Sequence, residues 1–439
     1  MKKLCRNQKI HAKNSNRIFI VDSLIHAGSG QGDIYKVHAG KDVYAMKLFH
    51  NGNEQKIRRQ LENLTRRGRA SSAFVHPLYM VNVDGNIGYI MEYIGAAQYD
   101  DGYILFNGKE KKDANGDIVR EEIPFNEKIA ALYHIAEAVN ILYEADIALI
   151  DLKFDNVKIN RRDRSVKILD TDTAVGGRTG AIVSGTVGFM PPLTMRGEEI
   201  PNRYNDSYAL AVMIFMSLIG GHPLRGRAYE EPINGSPENY IFATNPVYIF
   251  NKKDQTNRPP ENERRIIARM KKYPAYFAEA MHRTFTDGLF EREKRVTPRE
   301  WMEILVRLYD DHFICQHCGE EHFVGSSDKT CDVCGKPLYP PIKIICDGKS
   351  DKGIYLFNNS DIKSSELWED SNERTIFKVV VSDFDKRYGL LLLSSQELRL
   401  ELKNGQSRIF NMGETIPIFL DAVMEIDKHK INFMGGHKK

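Results

Sequence analysis

No stretch of this 439-residue chain is apolar for long enough to cross a bilayer. The most apolar run, Ala209 to Ile219, covers eleven residues, whereas a spanning helix needs about twenty. That run is apolar on all sides, which suits a helix buried inside a large domain. No leader is expected either. Met1-Lys2-Lys3-Leu4-Cys5 has a passing likeness to a lipoprotein signal, but no apolar run follows, and Arg6, Lys9 and Lys13 interrupt. An excess of one charge is also absent. Lys and Arg number 62 against 59 Asp and Glu, a net charge of +3, which makes no general case for nucleic acid or a membrane surface as partner. Cysteine is scarce, with six in all. The expected location is the cytoplasm, where disulfides are disfavoured. What the chain does have is length and 42% apolar residues, enough for two to four domains with real cores.

The densest chemistry lies in Leu149-Ile150-Asp151-Leu152-Lys153-Phe154-Asp155-Asn156, with Asp170 fourteen residues after Asn156. Phosphoryl transfer from ATP needs these groups. One Asp orients the attacking hydroxyl, a Lys neutralises charge on the moving phosphate, and an Asn and a second Asp hold magnesium. Taken singly, Asp-x-Lys reads as a solvated turn, and Asp170 beside Asp172 as loop acids near a strand end. Other motifs stand in order around them, and the sequence here resembles the protein-kinase superfamily, whose catalytic loop reads H-R-D-L-K-x-x-N. The match starts at the Asp, because Leu149 and Ile150 replace His-Arg.

Tyr44-Ala45-Met46-Lys47 reads like V-A-I-K on a strand, and the resemblance implies that Lys47 binds the α- and β-phosphates. Upstream, Gly28, Ser29, Gly30, Gln31, Gly32 and Ile34 lie in a glycine-rich segment where backbone N–H groups approach phosphate oxygens. Of the family's three glycines only Gly32 matches strictly. Downstream, Asp170-Thr171-Asp172 takes the place of the metal-binding D-F-G. Gly185-Thr186-Val187-Gly188-Phe189-Met190-Pro191-Pro192-Leu193 resembles G-T-x-x-Y-M-A-P-E. Thr186 stands where Ser/Thr-directed kinases brace the catalytic Asp and Lys. Leu193 replaces the usual Glu, which leaves the ion pair to a late Arg, Arg295 by position, without its acid. Asp206, at the start of the apolar run, is implied to anchor the catalytic-loop backbone.

The resemblance predicts a bilobal α+β kinase fold over 15–312, with an N-lobe of about 15–94 and a C-lobe of about 95–312. Strands are read at Val43 to Phe49 and Gly88 to Tyr93, with a charged helix near Glu54 to Arg67. On that helix Glu62 is the first candidate to pair with Lys47, and Glu54 the second, although a charged surface helix always offers some Glu. The basic cluster of Lys56, Arg58, Arg59, Arg66, Arg67 and Arg69 reads as a solvated face. Met91, Glu92 and Ile94 fall where the family's hinge meets adenine. Residues 100–122 read as an inserted hairpin turning at Asn115-Gly116-Asp117. A helix from Glu127 to Glu144 follows, with Asn126 as N-cap and Ile129, Leu132, Ala136 and Val139 on one apolar face. Residues 225–275 read as an irregular, loop-rich insertion, and His222 as structural. A last helix runs from Pro298 to Leu308, with its start marked by Arg295-Val296-Thr297-Pro298.

A second strong signal follows. Cys315-Gln316-His317-Cys318-Gly319 and Cys331-Asp332-Val333-Cys334-Gly335 are two C-x-x-C knuckles twelve residues apart. Their four thiolates complete the tetrahedron of a structural zinc site. A redox pair or a rubredoxin-like iron are the alternatives, and His317 and His322 are substitute ligands. A closed four-thiolate site leaves no open position for chemistry, and a ribbon of 313–340 has too short a chain to build a core without metal. From 341 to 439 short strands recur at Ile342 to Cys346, Gly353 to Phe357, Thr375 to Val381, Tyr388 to Leu393, Glu397 to Leu402, Ser407 to Met412, Thr415 to Leu420, Val423 to Ile426 and Lys430 to Met434. This pattern predicts a small antiparallel sandwich serving interactions. A forkhead-associated phosphothreonine reader lacks its Arg and Ser/His set here. Cys5 and Cys346 read as ordinary thiols.

The order of kinase, ribbon and β domain is similar to a group of bacterial kinases linked to von Willebrand A proteins of the TerY type and to metal-dependent protein phosphatases. That likeness implies these partners and a stress or signalling role. The expectation is an ATP- and magnesium-dependent Ser/Thr protein kinase. Asp151, Lys153, Asn156, Asp170 and Thr186 are its catalytic set, with magnesium on Asn156 and Asp170, ATP held by residues including Lys47 and Glu62, and zinc on the four cysteines. A pseudokinase scaffold is the alternative. A small-molecule kinase is a third reading, opposed by Thr186 in a segment that resembles a protein-docking one.

Overall fold

The computed structural model describes residues 3–13, 15–27, 32–50, 54–67, 70–113, 117–176, 185–230, 236–315, 317–324, 330–338, 342–347, 353–356, 359–368, 370, 372–381, 388–419 and 422–434. The chain divides into two compact units, Met1–Lys271 with Ala275–Tyr309, and Lys272–Pro274 with Asp310–Lys439.

The first unit opens with an antiparallel sheet of β1 (Lys9–His11), β2 (Ile18–His26), β3 (Gly32–Ala39), β4 (Asp42–Phe49), β5 (Tyr79–Val83) and β6 (Asn86–Glu92), in the order β1-β2-β3-β4-β6-β5. Side chains alternate across a strand, so the two faces are distinct. Phe19, Val21, Val37, Met46, Leu48, Val81 and Ile90 bury one face. The other receives Leu61 from the helix Glu54–Arg67, packed with Met80, Ile87 and Tyr89. Lys47, between Met46 and Leu48, therefore projects on the helix side.

The rest of this unit is mostly helical. The helix Arg203–Leu218 is buried nearly all round, as its apolar run requires. Asn202 starts it with a capping box: its side chain accepts from the Tyr204 N–H, and the Asn205 side chain accepts from the Asn202 N–H. The helix Phe125–Glu144 packs against it. Asn126 is not that helix's N-cap. Pro124 precedes the first turn, Phe125 is already helical and buried, and Asn126 lies exposed inside the helix. The inserted hairpin is narrower than expected, pairing Lys109–Lys112 with Ile118–Glu121; Asn115 and Gly116 of its turn lie outside the described residues. The stretch 225–275 contains a helix the sequence reading missed, Arg264–Lys272. The last helix, Pro298–Asp311, starts at Thr297, whose N–H and hydroxyl both donate to Glu300.

In the second unit, His312–Ile314 pairs with Glu321–Phe323. Two antiparallel sheets follow. One orders Ile354–Tyr355, Lys343–Cys346, His429–Met434, Val423–Ile426, Leu398–Glu401 and Ser407–Phe410; the other orders Asp361–Lys363, Thr375–Val381, Tyr388–Leu392 and Thr415–Pro417. Both send alternate residues, among them Ile344, Phe377, Leu390, Leu400, Met424 and Ile431, into one shared core. The strand Asp361–Lys363 and the short helix Ser364–Leu367 were not foreseen. Among the described residues no helix is long and apolar enough to cross a membrane.

Candidate active site and metal centre

The catalytic loop is fixed first by its backbone. Asp206, buried at the start of the helix Arg203–Leu218, accepts from the Leu149 N–H at 2.7 Å and the Ile150 N–H at 3.1 Å. Burial pushes its carboxyl up to about 7, against the pull of those two N–H groups. Ile150 has φ of +74°, a conformation that β-branched residues avoid and that costs about 1–3 kcal/mol. The Asp206 carboxylate holds it there. The segment after the metal motif also ties back, since Ile147 and Ala148 pair with Gly176 and Val175.

On this frame three side chains converge on Asp151. The Thr186 hydroxyl donates to Oδ1 at 2.6 Å, Lys153 Nζ lies 2.9 Å from Oδ2, and Asn156 Nδ2 donates to the Asp151 carbonyl at 2.8 Å. Lys153 Nζ also donates to Thr186 Oγ1 at 2.7 Å, closing a ring of Asp, Lys and Thr. Asn156 uses its amide nitrogen on Asp151, which leaves its oxygen as the acceptor end. The Leu169 N–H donates to the Asn156 carbonyl at 2.7 Å, so the metal motif runs beside Asn156.

Lys47 is buried, with Nζ 3.1 Å from Asp170 Oδ1 and 3.0 Å from Asp172 Oδ2. Burial works against its charge, but the attraction of Asp172 and then Asp170 outweighs that and holds its pKa above the ordinary lysine value. The expected pairing of Lys47 with Glu62 is corrected here. Leu61 faces the sheet and is 1% exposed. The next residue lies about 100° further round the helix, so Glu62 points outward and is exposed. Asp172 is the residue the sequence reading missed. Its signal was available in the acid–x–acid spacing of Asp170-Thr171-Asp172.

The candidate nucleotide residues share a sheet face. Ile34 sits across from Lys47, and Ala45 across from Met91. Gly32 begins β3, and Ile94 lies just past the end of β6. The Glu92 carboxylate is taken by Lys167 Nζ at 2.9 Å. Gly28, Ser29, Gly30 and Gln31 lie outside the described residues. With Leu193 in place of an acid, buried Arg295 turns to backbone carbonyls, with Nη2 left unpaired among the described residues. Its Nε donates to the Gly288 carbonyl at 2.7 Å and Nη1 to that of Tyr204 at 3.0 Å. His222 is neutral and structural. Nδ1 accepts from the Leu224 N–H, so Nε2 donates to the Gly188 carbonyl at 2.9 Å.

The four knuckle cysteines converge in the second unit. Cys315 Sγ is 3.8 Å from Cys334 Sγ, and Cys318 Sγ is 3.5 Å from Cys331 Sγ. A tetrahedron with zinc–sulfur bonds of about 2.3 Å has edges of about 3.8 Å, so the four thiols fit zinc. The knuckles repeat one another. The Gly319 N–H donates to the Cys315 carbonyl and the Gly335 N–H to that of Cys331, both at 2.9 Å. Both glycines have positive φ, +79° and +69°, which lets each loop close. The N–H groups of His317 and Cys318 help hold the Cys315 thiol down to about 7, while the Cys318 thiol, sharing its proton with the other cysteines, is pushed up to about 12. His322 is buried beside Cys331 and Asp332, but the four cysteines suffice.

A solved structure similar to this chain is the autoinhibited serine kinase domain of the giant muscle protein titin. It is 14% identical with a TM-score of 0.48, over 65% of this chain and 78% of that one. No curated protein sequence is similar enough to count as a match. The family model of the protein kinase domain matches residues 23–303, well over half of the chain, and the chain belongs to the protein kinase family.

Proposed function

We propose that this protein is a catalytically active, ATP- and magnesium-dependent kinase that phosphorylates serine or threonine in protein substrates. The observation that carries the reading is the closed ring of Asp151, Lys153 and Thr186, with contacts of 2.6–2.9 Å. Asp151 accepts the proton of the substrate hydroxyl as its oxygen attacks the γ-phosphorus and the bond to the β–γ bridging oxygen breaks, releasing ADP. Lys153 lies beside Asp151, where negative charge on the transferring phosphoryl group is offset. Thr186 keeps Asp151 and Lys153 in register. Asn156 and Asp170 are the residues that would hold magnesium, which supplies charge neutralisation on the β- and γ-phosphates. Ile34, Ala45, Lys47, Met91 and the backbone of 92–94 are the nucleotide face.

The cysteine cluster is a structural zinc ribbon in this reading, and the two-sheet domain after it serves protein interactions. A bacterial stress or signalling role with a von Willebrand A protein and a metal-dependent phosphatase rests on the three-part order alone.

The test is phosphotransfer from labelled ATP by the pure full chain, with and without magnesium. Asp151→Asn should cut the rate by orders of magnitude with nucleotide affinity nearly intact. Asp170→Asn should also weaken magnesium-dependent binding. Wild type that binds ATP without transferring phosphate to itself or any supplied protein would replace this reading with a pseudokinase scaffold. Variants as active as wild type would remove the site assignment.

A further inference from the structure

Lys47 is held by two carboxylates, and their surroundings differ. The Asp170 side chain is 40% exposed, whereas that of Asp172 is 4% exposed. A hydrated cation reaches the first and not the second. Tyr89 sits directly across from Lys47 in the sheet, so both side chains leave on the same face. Tyr89 is itself buried, and after burial the nearby Asp172 carboxylate helps hold its hydroxyl well above the ordinary tyrosine pKa. Asp172 thus meets Lys47 and Tyr89 in one dry pocket. The turn that carries it is fixed from the other side, where the Thr171 hydroxyl donates to the Val75 carbonyl at 2.7 Å. Moving Asp172 out would take from the ammonium the buried one of these two carboxylates.

Resting on the kinase reading above, we propose that Asp172 is the positioning residue for Lys47, the standing carboxylate partner that keeps its ammonium aimed at the phosphates when Asp170 turns to magnesium. In this chain the counter-charge for the strand lysine comes from the metal-motif turn, two residues after the metal-binding acid, and Glu62 takes no part. Glu54 is the rival on the helix.

The experiment is a double-mutant cycle on the full chain. Affinity for a magnesium complex of a non-hydrolysable ATP analogue is measured by calorimetry for wild type, Asp172→Asn, Lys47→Met and the double variant, with kcat and KM alongside. Asp172→Asn should weaken affinity about tenfold, the equivalent of one charged hydrogen bond. The double variant should be no weaker than Lys47→Met, because one interaction is lost only once. The magnesium titration midpoint should be unchanged in Asp172→Asn and shifted in Asp170→Asn. If Asp172→Asn does not fold, Tyr89→Phe replaces it, with a smaller loss that disappears in the Lys47→Met background.

Multiplicative losses in the cycle, a magnesium shift in Asp172→Asn, or coupling found between Lys47 and Glu54 in a parallel Glu54→Gln cycle would each overturn the proposal. Binding without transfer by wild type would sink the kinase reading alone and leave the affinity cycle to decide. No binding at all would sink both.

Discussion

Replacing Cys331 by Ser separates the metal's share of ribbon stability from that of packing. Cys331 is 1% exposed, and among the described residues the small core around it has Phe313, Cys315 and Leu338 as its other buried members. Two of those four are knuckle cysteines. Full burial of Phe313 and Leu338 is worth about 2–3 kcal/mol each, whereas structural zinc supplies about 10–16 kcal/mol in isolated modules. Bound zinc would therefore stabilise the ribbon more than packing does, and three thiolates with a serine hydroxyl would hold it far less well than four. Wild type should carry one zinc per chain by elemental analysis, and Cys331→Ser should lose it. Backbone hydrogen exchange should then accelerate by at least about a hundredfold in peptides from 312–324 and 330–338, for a local loss of about 3 kcal/mol or more. Exchange in the sheet of β1 to β6 should stay as it is, because that sheet has its own core. Transfer to a generic substrate should survive, since a closed site takes no part in chemistry. Metal-free wild type, a disulfide between the knuckles under reducing conditions, or unchanged ribbon exchange in the variant would refute the reasoning.

Two further outcomes follow from the first unit. His222 is fully buried and neutral, with its pKa lowered from about 6.5 to about 4 by burial, against the pull of the Gly188 carbonyl. Between those values the unfolded chain binds the proton and the folded one does not, so stability rises with pH across that window. It should fall by about 2 kcal/mol from pH 7 to pH 5. Urea midpoints at both pH values check this, and a drop as large in His222→Asn would assign the effect elsewhere. The second outcome concerns Ile150, which is buried and offers no cation to a phosphate. Phosphatase-treated protein should keep its transfer rate, and a large, reversible loss on dephosphorylation would count against the argument.

How much of this was readable beforehand depends on how local each feature is. The knuckles and the Asp151–Asn156 loop are short spacings set by chemistry, and the structure brings each set together. The helix Glu54–Arg67 was found with its bounds, but its phase was not used. Leu61 and Leu64 lie one turn apart on its apolar side, which puts position 62 off that side. The helix Arg264–Lys272 was hidden because only Ile266, Ile267, Ala268 and Met270 are apolar among its nine residues, and Pro and Asn flank it upstream. Asn126 lost to Pro124, because a fixed φ before the first turn ends the extended segment two residues early. The short strand Asp361–Lys363 carries too few residues for a period to be visible. Asp172 could be read as an acid but not as a partner of Lys47, since that pairing spans 125 residues.

These placements share a physical logic. A kinase loop must hold a hydroxyl-orienting acid at a fixed point, and the force that holds it can be permanent or conditional. An Arg before Asp151 would make it conditional, because its charge needs a phosphate to pair with. Ile150 removes that dependence and leaves a strained backbone that Asp206 restrains. Thr186 fixes Asp151 through a hydroxyl, and Asp172 fixes Lys47 through a buried pair. Each of these restraints lies inside the folded unit and is in place with no modification. Control over such an enzyme then falls to access and to partners rather than to a charge added at the loop. The two-sheet domain has its own core, and on the function proposed above it is the part that would supply such control.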